Sequence, residues 1–155
     1  MAVTGSVFAD YTAPFNGAYA SSKAAVTSIF DALRLELAPF SISVCIVEPG
    51  FFSSKLRHNC FDPNRYLEGE SLYSQASQSM NALIKYQDTL RHVASAEEVA
   101  VTVVKKICRK RGPPQRILVG TRAWVFKLVG FLYKFAIPEV MHKLLVVYFG
   151  LNEEW

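Results

Sequence analysis

Ser43-Val44-Cys45-Ile46-Val47, followed by Glu48-Pro49-Gly50, is the stretch that decides the architecture. It is short, rich in β-branched residues and apolar at nearly every position. A strand buried on both faces has this composition, as in a parallel sheet flanked by helices. Upstream, Tyr19 to Leu37 contains no Gly or Pro. Its apolar residues Ala25, Ile29, Ala32, Leu33 and Leu37 recur at helical spacing, and Pro39 stops the run. Further upstream, Ala2 to Thr4 reads as a short strand ending in Gly5-Ser6, with a loop through Asp10, Pro14, Asn16 and Gly17. Downstream of Gly50, Phe51 to about Ser71 is polar and aromatic without a period; loops of that length in a compact domain are usually functional, often lids. Leu72 to His92 is expected to be helical. Ser95-Ala96-Glu97-Glu98 is a capping box opening a helix that should run to about Arg111, where Gly112-Pro113-Pro114 ends it. Ile117 to Val119 is a last short strand. Strands and helices in alternation predict an α/β layer fold. Three short strands make a poor sheet, so the fold is expected to be incomplete.

Composition bounds the function. Of 155 residues, 51% are hydrophobic and 19% charged, enough for a packed core and against global disorder. The formal charge of +4 is a mild excess. No run interleaves Lys or Arg with aromatics, so a nucleic-acid partner is not expected. Cys45, Cys60 and Cys108 are odd in number and far apart. Neither metal spacing nor a disulfide framework follows, and buried free thiols are expected. His58 and His92 have no partner at metal spacing, so no metal is expected. The opening MAVTGSVFAD lacks a basic n-region and a long apolar core, and reads as an interior strand rather than a signal peptide.

The tail from Ala123 to Leu151 concentrates Trp124, Phe126, Phe131, Phe135, Leu144 and Phe149. These must cover a core, a substrate or a membrane. Lys127, Lys134 and Lys143 forbid a simple span but suit snorkelling at an interface, and Pro138 should divide the segment into two helices. The cations Lys105, Lys106, Arg109, Lys110 and Arg111 complement the dipole at a helix end. They also suit anionic headgroups.

Tyr19-Ala20-Ser21-Ser22-Lys23 carries the chemistry. Residues four apart share a helix face, so the phenol of Tyr19 and the ammonium of Lys23 can act on one small volume. A cation beside a phenol favours the phenolate. Such a phenol can give a proton to a carbonyl oxygen, or take one from an alcohol, while hydride moves on the other side of the carbon. A hydroxyl such as that of Ser6 can steady the same oxygen. The spacing alone is a weak signal, since any amphipathic helix can carry a Tyr and a Lys four apart.

Gly5-Ser6, Tyr19 thirteen positions beyond Ser6, Pro14-Phe15 between them, and Ser21-Ser22 before Lys23 resemble the active-site segment of the short-chain dehydrogenases/reductases. The strand leading into Glu48-Pro49-Gly50-Phe51-Phe52-Ser53-Ser54 is similar to that family's second signature. The resemblance implies a Rossmann-type doubly wound parallel sheet, of which this chain is the C-terminal catalytic half, with the N-terminal strands and glycine-rich turn missing. Residues 1–122 would be that catalytic half and 123–155 an apolar, aromatic helical extension. Ser6, Tyr19 and Lys23 resemble the catalytic residues, Tyr19 and Lys23 also facing the cofactor. Pro49, Gly50 and Phe52 resemble the nicotinamide contacts, and Ser54 stands where the family usually has threonine.

The implied activity is hydride transfer between a nicotinamide cofactor, NADP or else NAD, and the carbonyl or alcohol group of a small apolar or lipid substrate. Acyl-dihydroxyacetone-phosphate reductases and retinol or hydroxysteroid dehydrogenases are the nearest in pattern. The chain alone, lacking the phosphate-binding turn, is expected neither to bind NADPH tightly nor to form a stable monomer. The complete enzyme admits a homo-oligomer, and peripheral contact through 123–151 with the cytoplasmic side of the endoplasmic reticulum or a lipid droplet. The alternative is a truncated, non-catalytic remnant that associates with a membrane or partner.

Overall fold

A run of apolar residues with nowhere to hide a polar face must be covered on both sides, and Cys45–Pro49 is buried at all five positions. In the computed structural model this strand, β2, lies between β1 (Ala2–Thr4) and β3 (Arg116–Val119) in a parallel sheet of order β1-β2-β3. Ala2 pairs with Cys45 and Ile46 with Arg116. The structure describes residues 1–56 and 93–135, with 140, 143 and 147. It divides into two units, one of Met1–Ser53 with Val93–Phe135, the other of Ser54–His92 with Ala136–Trp155. The expected helix at Leu72–His92, the lid-like stretch 57–71, the break at Pro138, and Cys60, His58, His92 and His142 lie outside the described residues.

The α/β expectation holds, with shifted edges. β2 begins at Cys45 rather than Ser43 and continues through Glu48 into Pro49. Proline lacks an amide to give to the ladder and is tolerated at a strand end. Helix α1 spans Gly17–Glu36, entered through Phe15 in the left-handed region at φ 61°. Of the apolar residues at helical spacing, Leu33 and Leu37 are half-buried. Ala25 and Ala32 are exposed, as is Ile29 at 57%. The face turned inward carries Ala20 and, half-buried, Lys23, Thr27, Phe30 and Arg34. Polar side chains reach the sheet from this face: Lys23 bonds the Thr4 carbonyl and Arg34 the Val44 carbonyl.

Helix α2 covers Ala96–Ile107 and shows the expected capping box in full. The Ser95 hydroxyl accepts from the Glu98 amide, and the Glu98 carboxylate accepts from the Ser95 amide. That backbone bond holds the Glu98 carboxyl below its ordinary value. The helix stops at Ile107, four residues before Arg111, with Cys108 as its C-cap and Gly112 at φ 81° in the turn that follows. Val99, Val103 and Ile107 pack on Cys45, Val47, Ile117 and Val119 of the sheet. Cys45 is buried, which pushes its thiol up, but Cys108 is exposed, correcting the expectation of uniformly buried thiols.

Helix α3, Ala123–Phe135, is apolar nearly all round, and its two faces diverge. Ala123, Phe126 and Gly130 are buried. Trp124, Leu128, Phe131, Leu132 and Phe135 are exposed. Among the described residues no helix is long and apolar enough to cross a membrane.

Candidate active site

Parallel strands deliver their C-terminal ends to one edge, and the segments after β1 and β2 are the two that carry the candidate residues. After β1, the Gly5 amide donates to the Val47 carbonyl at 2.8 Å, holding this segment beside the end of β2. Ser6 follows, 2% exposed, as N-cap of a one-turn 3-10 helix, Val7–Ala9. Its Oγ accepts from the Phe8 amide at 3.2 Å. A hydroxyl has two acceptor sites and one proton, so this capping bond leaves the proton free to be donated.

Tyr19 and Lys23 stand one turn apart on α1, both half-buried. The Lys23 ammonium lies 5.8 Å from the centre of the Tyr19 ring and donates to the Thr4 carbonyl at 3.2 Å. One helix face thus places the phenol and the cation against the end of β1, two residues before Ser6. An ammonium has three donors, and the bond to Thr4 uses one. Tyr19 also meets Phe8 edge-on, ring centres 6.3 Å apart. Phe8 therefore joins the two predicted groups: its amide bonds Ser6 and its ring bears on Tyr19.

Pro49 and Gly50 close β2. The Gly50 amide donates to Val119 and the Phe51 amide to Thr121, so these two amides serve the chain's own backbone. A Cβ on Gly50 would lie 2.6 Å from the Thr121 carbonyl oxygen and 2.9 Å from Ala123. Glycine is needed there for the close approach of α3. Phe52 is half-buried, bridges to Ala94 and keeps its place beside the turn. Ser54 falls in the second unit, where its Oγ accepts from the Leu56 amide at 3.4 Å.

Groups to which sequence reasoning gave no place at this site complete the neighbourhood. Phe126 of α3 is 2% exposed and packs against Phe8, Tyr11 and Phe51, ring centres 5.2–6.1 Å away. Glu48, the residue before Pro49, is wholly buried. It is paired with Arg116, and the Lys127 ammonium lies 3.0 Å from its carboxylate. Lys127 also contacts Asp10 at 2.5 Å, and Lys134 reaches the other Asp10 oxygen at 2.9 Å. Lys127 and Lys134, expected to snorkel, are instead ion-paired to the body of the unit. A usable signal existed: an acid inside an otherwise apolar strand must find a cation. Burial by itself would raise the Asp10 carboxyl, but the hydrogen bonds and charges of Lys127 and Lys134 outweigh it and hold the group below its ordinary value. Arg116, although partly desolvated, is raised by its bond to Glu48.

Known proteins are similar to this chain in sequence and fold. The family model for short chain dehydrogenases matches residues 2–65. A 3-ketodihydrosphingosine reductase of Bacteroides thetaiotaomicron is 31% identical over 107 residues, 69% of this chain and 38% of the relative. An 11-beta-hydroxysteroid dehydrogenase 1A of Arabidopsis thaliana is 34% identical over 130 residues, 84% of this chain and 32% of the relative. The crystal structure of a short-chain dehydrogenase from Streptomyces avermitilis matches with a TM-score of 0.60 at 22% identity, over 96% of this chain and 51% of that one. The matched stretch spans about a third of the length of the curated relatives.

Proposed function

The chain belongs to the short-chain dehydrogenase/reductase family, and from that premise we propose that it carries the proton-transfer half of a nicotinamide-dependent carbonyl/alcohol oxidoreductase. The observation that carries this reading is the Tyr19–Lys23 pair set against the loop that holds Ser6. Tyr19 gives its proton to the substrate carbonyl oxygen in reduction and takes it back in oxidation. Lys23 sets its ammonium beside the Tyr19 ring and has donors left for a ribose diol. Ser6 gives its free proton to the substrate oxygen and steadies the charge that develops there. The donor set fits a nicotinamide nucleotide: Lys23 and Tyr19 offer the polar groups and the Pro49-Gly50 turn the adjoining wall. When bound, the nicotinamide supplies or accepts the hydride.

We take the cofactor to be NADP(H) and the substrate to be apolar and lipid-like. Phe8, Phe51 and Phe126 make the surroundings aromatic, and relatives named for ketodihydrosphingosine and hydroxysteroid chemistry act on such molecules. Peripheral contact with a membrane or lipid-droplet surface belongs to the same proposal, supported by the exposed Trp124, Phe131 and Phe135 of α3.

The decisive test measures turnover of apolar ketones by the full-length enzyme carrying this chain, with NADPH and NADH in parallel. Tyr19→Phe should lower turnover by at least the ~10²-fold that a general acid contributes; near-wild-type turnover overturns the assignment. Faster reaction with NADH overturns the cofactor choice. Flotation with liposomes that is unchanged in a Trp124→Ser, Phe131→Ser, Phe135→Ser variant overturns the membrane contact.

A further inference from the structure

Two short segments carry the groups assigned above: Ser6 to Asp10 after β1, and Glu48 to Phe52 at the end of β2. The first is lightly held, since β1 has three residues and the 3-10 helix one turn; the second is the end of β2, where Glu48 and Pro49 pair with Leu118 and Val119 of β3. Helix α3 touches both. Its first residue, Ala123, sits where a Gly50 side chain would be, and Gly130 sits so close to Asp10 that a Cβ there would be 2.8 Å from the Asp10 Cβ. Between these two close approaches stand Phe126 and Lys127. Phe126 fills the space between Phe8 of one segment and Phe51 of the other. Lys127 places one ammonium between the Asp10 carboxylate of the first and the Glu48 carboxylate of the second.

We propose that Lys127 is a positioning residue: by pairing with Asp10 and Glu48 at once, it sets the register of the Ser6 segment against the Pro49-Gly50 turn. The inference rests on the oxidoreductase reading for its consequence, and on geometry alone for the register itself. Two anions around one cation form a directional clamp. If either segment slides, one pair lengthens and a carboxylate loses a partner in a poorly solvated place. The outer partners keep the anions where Lys127 needs them. Arg116 holds Glu48 from β3, and Lys134 holds Asp10 from the next turn of α3. Arg116 is itself braced by Asp31 at 2.6 Å, and Asp31 by Arg34, so the clamp is anchored to the helix that carries Tyr19 and Lys23. Ser6, Tyr19 and the turn are thereby referred to one alternating chain of charges. Lys127 touches no reacting atom and acts only through the two segments it joins.

The test uses the full-length enzyme with Lys127→Met, which keeps the stem and removes the charge, and Lys127→Arg, which restores a cation. Hydrogen-exchange mass spectrometry reads the register directly. Peptides covering 6–11 and 48–54 should both exchange at least tenfold faster in Lys127→Met, while peptides in α2 are unchanged. Turnover should fall about tenfold with the substrate KM moved less than threefold, and Lys127→Arg should recover most of it. Ile117→Ala, a sheet-core change that leaves every charge of the clamp in place, should lower the melting temperature but leave the turnover of folded enzyme intact. If Lys127→Met does not fold, Asp10→Asn carries the same exchange and turnover measurements. Unchanged exchange in the two peptides, or a rise in exchange and a fall in turnover no larger than the loss of melting temperature predicts from Ile117→Ala, overturns the proposal. Failure of Tyr19→Phe to slow turnover, with the exchange result intact, would instead count against the oxidoreductase reading and leave the clamp standing.

Discussion

Lys23 bonds the end of β1 and Lys127 bonds the segments that follow β1 and end β2, and the two are held in opposite ways. Lys23 is tied within its own helix, one turn from Tyr19, with a single carbonyl bond to Thr4. Lys127 sits between two carboxylates that lie 117 and 79 residues away in the chain, one of them fully buried. A group that must meet substrate and give up contacts at each turnover is fixed locally and lightly. The groups that hold its surroundings are fixed by remote charges, which lose heavily when separated.

The contrast makes the largest effect on stability fall away from the reacting groups. Glu48→Ala removes the buried anion and leaves Arg116 and Lys127 facing an unfilled site; a loss of about 3–5 kcal/mol is expected for breaking such a pair. Chemical denaturation measures it, and a loss below about 1 kcal/mol would show that the cluster is ornamental. Lys23→Met, on the opposite side of the comparison, should cost no more than about 0.5–1.5 kcal/mol, the net worth of one hydrogen bond. It should nonetheless abolish most turnover in the same sample. Equal stability losses for the two lysine sites would erase the distinction.

The acid limb sharpens it further. The Asp10 carboxyl is held below its ordinary value of 3.8 in the folded chain. Its contribution to stability is therefore complete above that value and drains away as pH falls below it, through the lowered folded value. Melting temperature measured downward from pH 5 should drop more steeply in the parent than in Asp10→Asn. The smallest effect expected lies at a site remote from both lysines: Ser95→Ala removes one half of the capping box and should cost about 1 kcal/mol without altering turnover.

Local chemistry was legible before the structure and remote chemistry was not. Tyr19 with Lys23, and Ser95 with Glu98, are pairs whose meeting is dictated by helix geometry alone. The buried strand announced itself because Val44 to Val47 leave no polar face. The end of α2 was misjudged because Arg109 to Arg111 are good helix formers, and only the turn at Gly112 shows that the chain has already left the helix. The orientation of α1 was not legible: spacing alone marks Ala25, Ile29 and Leu33 alike, and only the carbonyl bonds of Lys23 and Arg34 show which side meets the sheet. Nothing near Asp10 in the sequence points to Lys127, and Glu48, an acid in an apolar strand, signalled the need for a cation but not which one. The lysines of α3 were read as interfacial because their partners lie in distant segments.

The position of Glu48 in the middle strand also constrains how the molecule assembles. β1, α1 and β2 are contiguous in the chain and can meet early, while β3 and α3 arrive only after a much longer loop has closed. Until then the Glu48 carboxylate has neither Arg116 nor Lys127, and an intermediate that dried out around β2 would strand an unpaired charge. Early collapse onto this strand is therefore penalised. Drying of the sheet around Glu48 is expected to complete only when β3 and the last helix have docked.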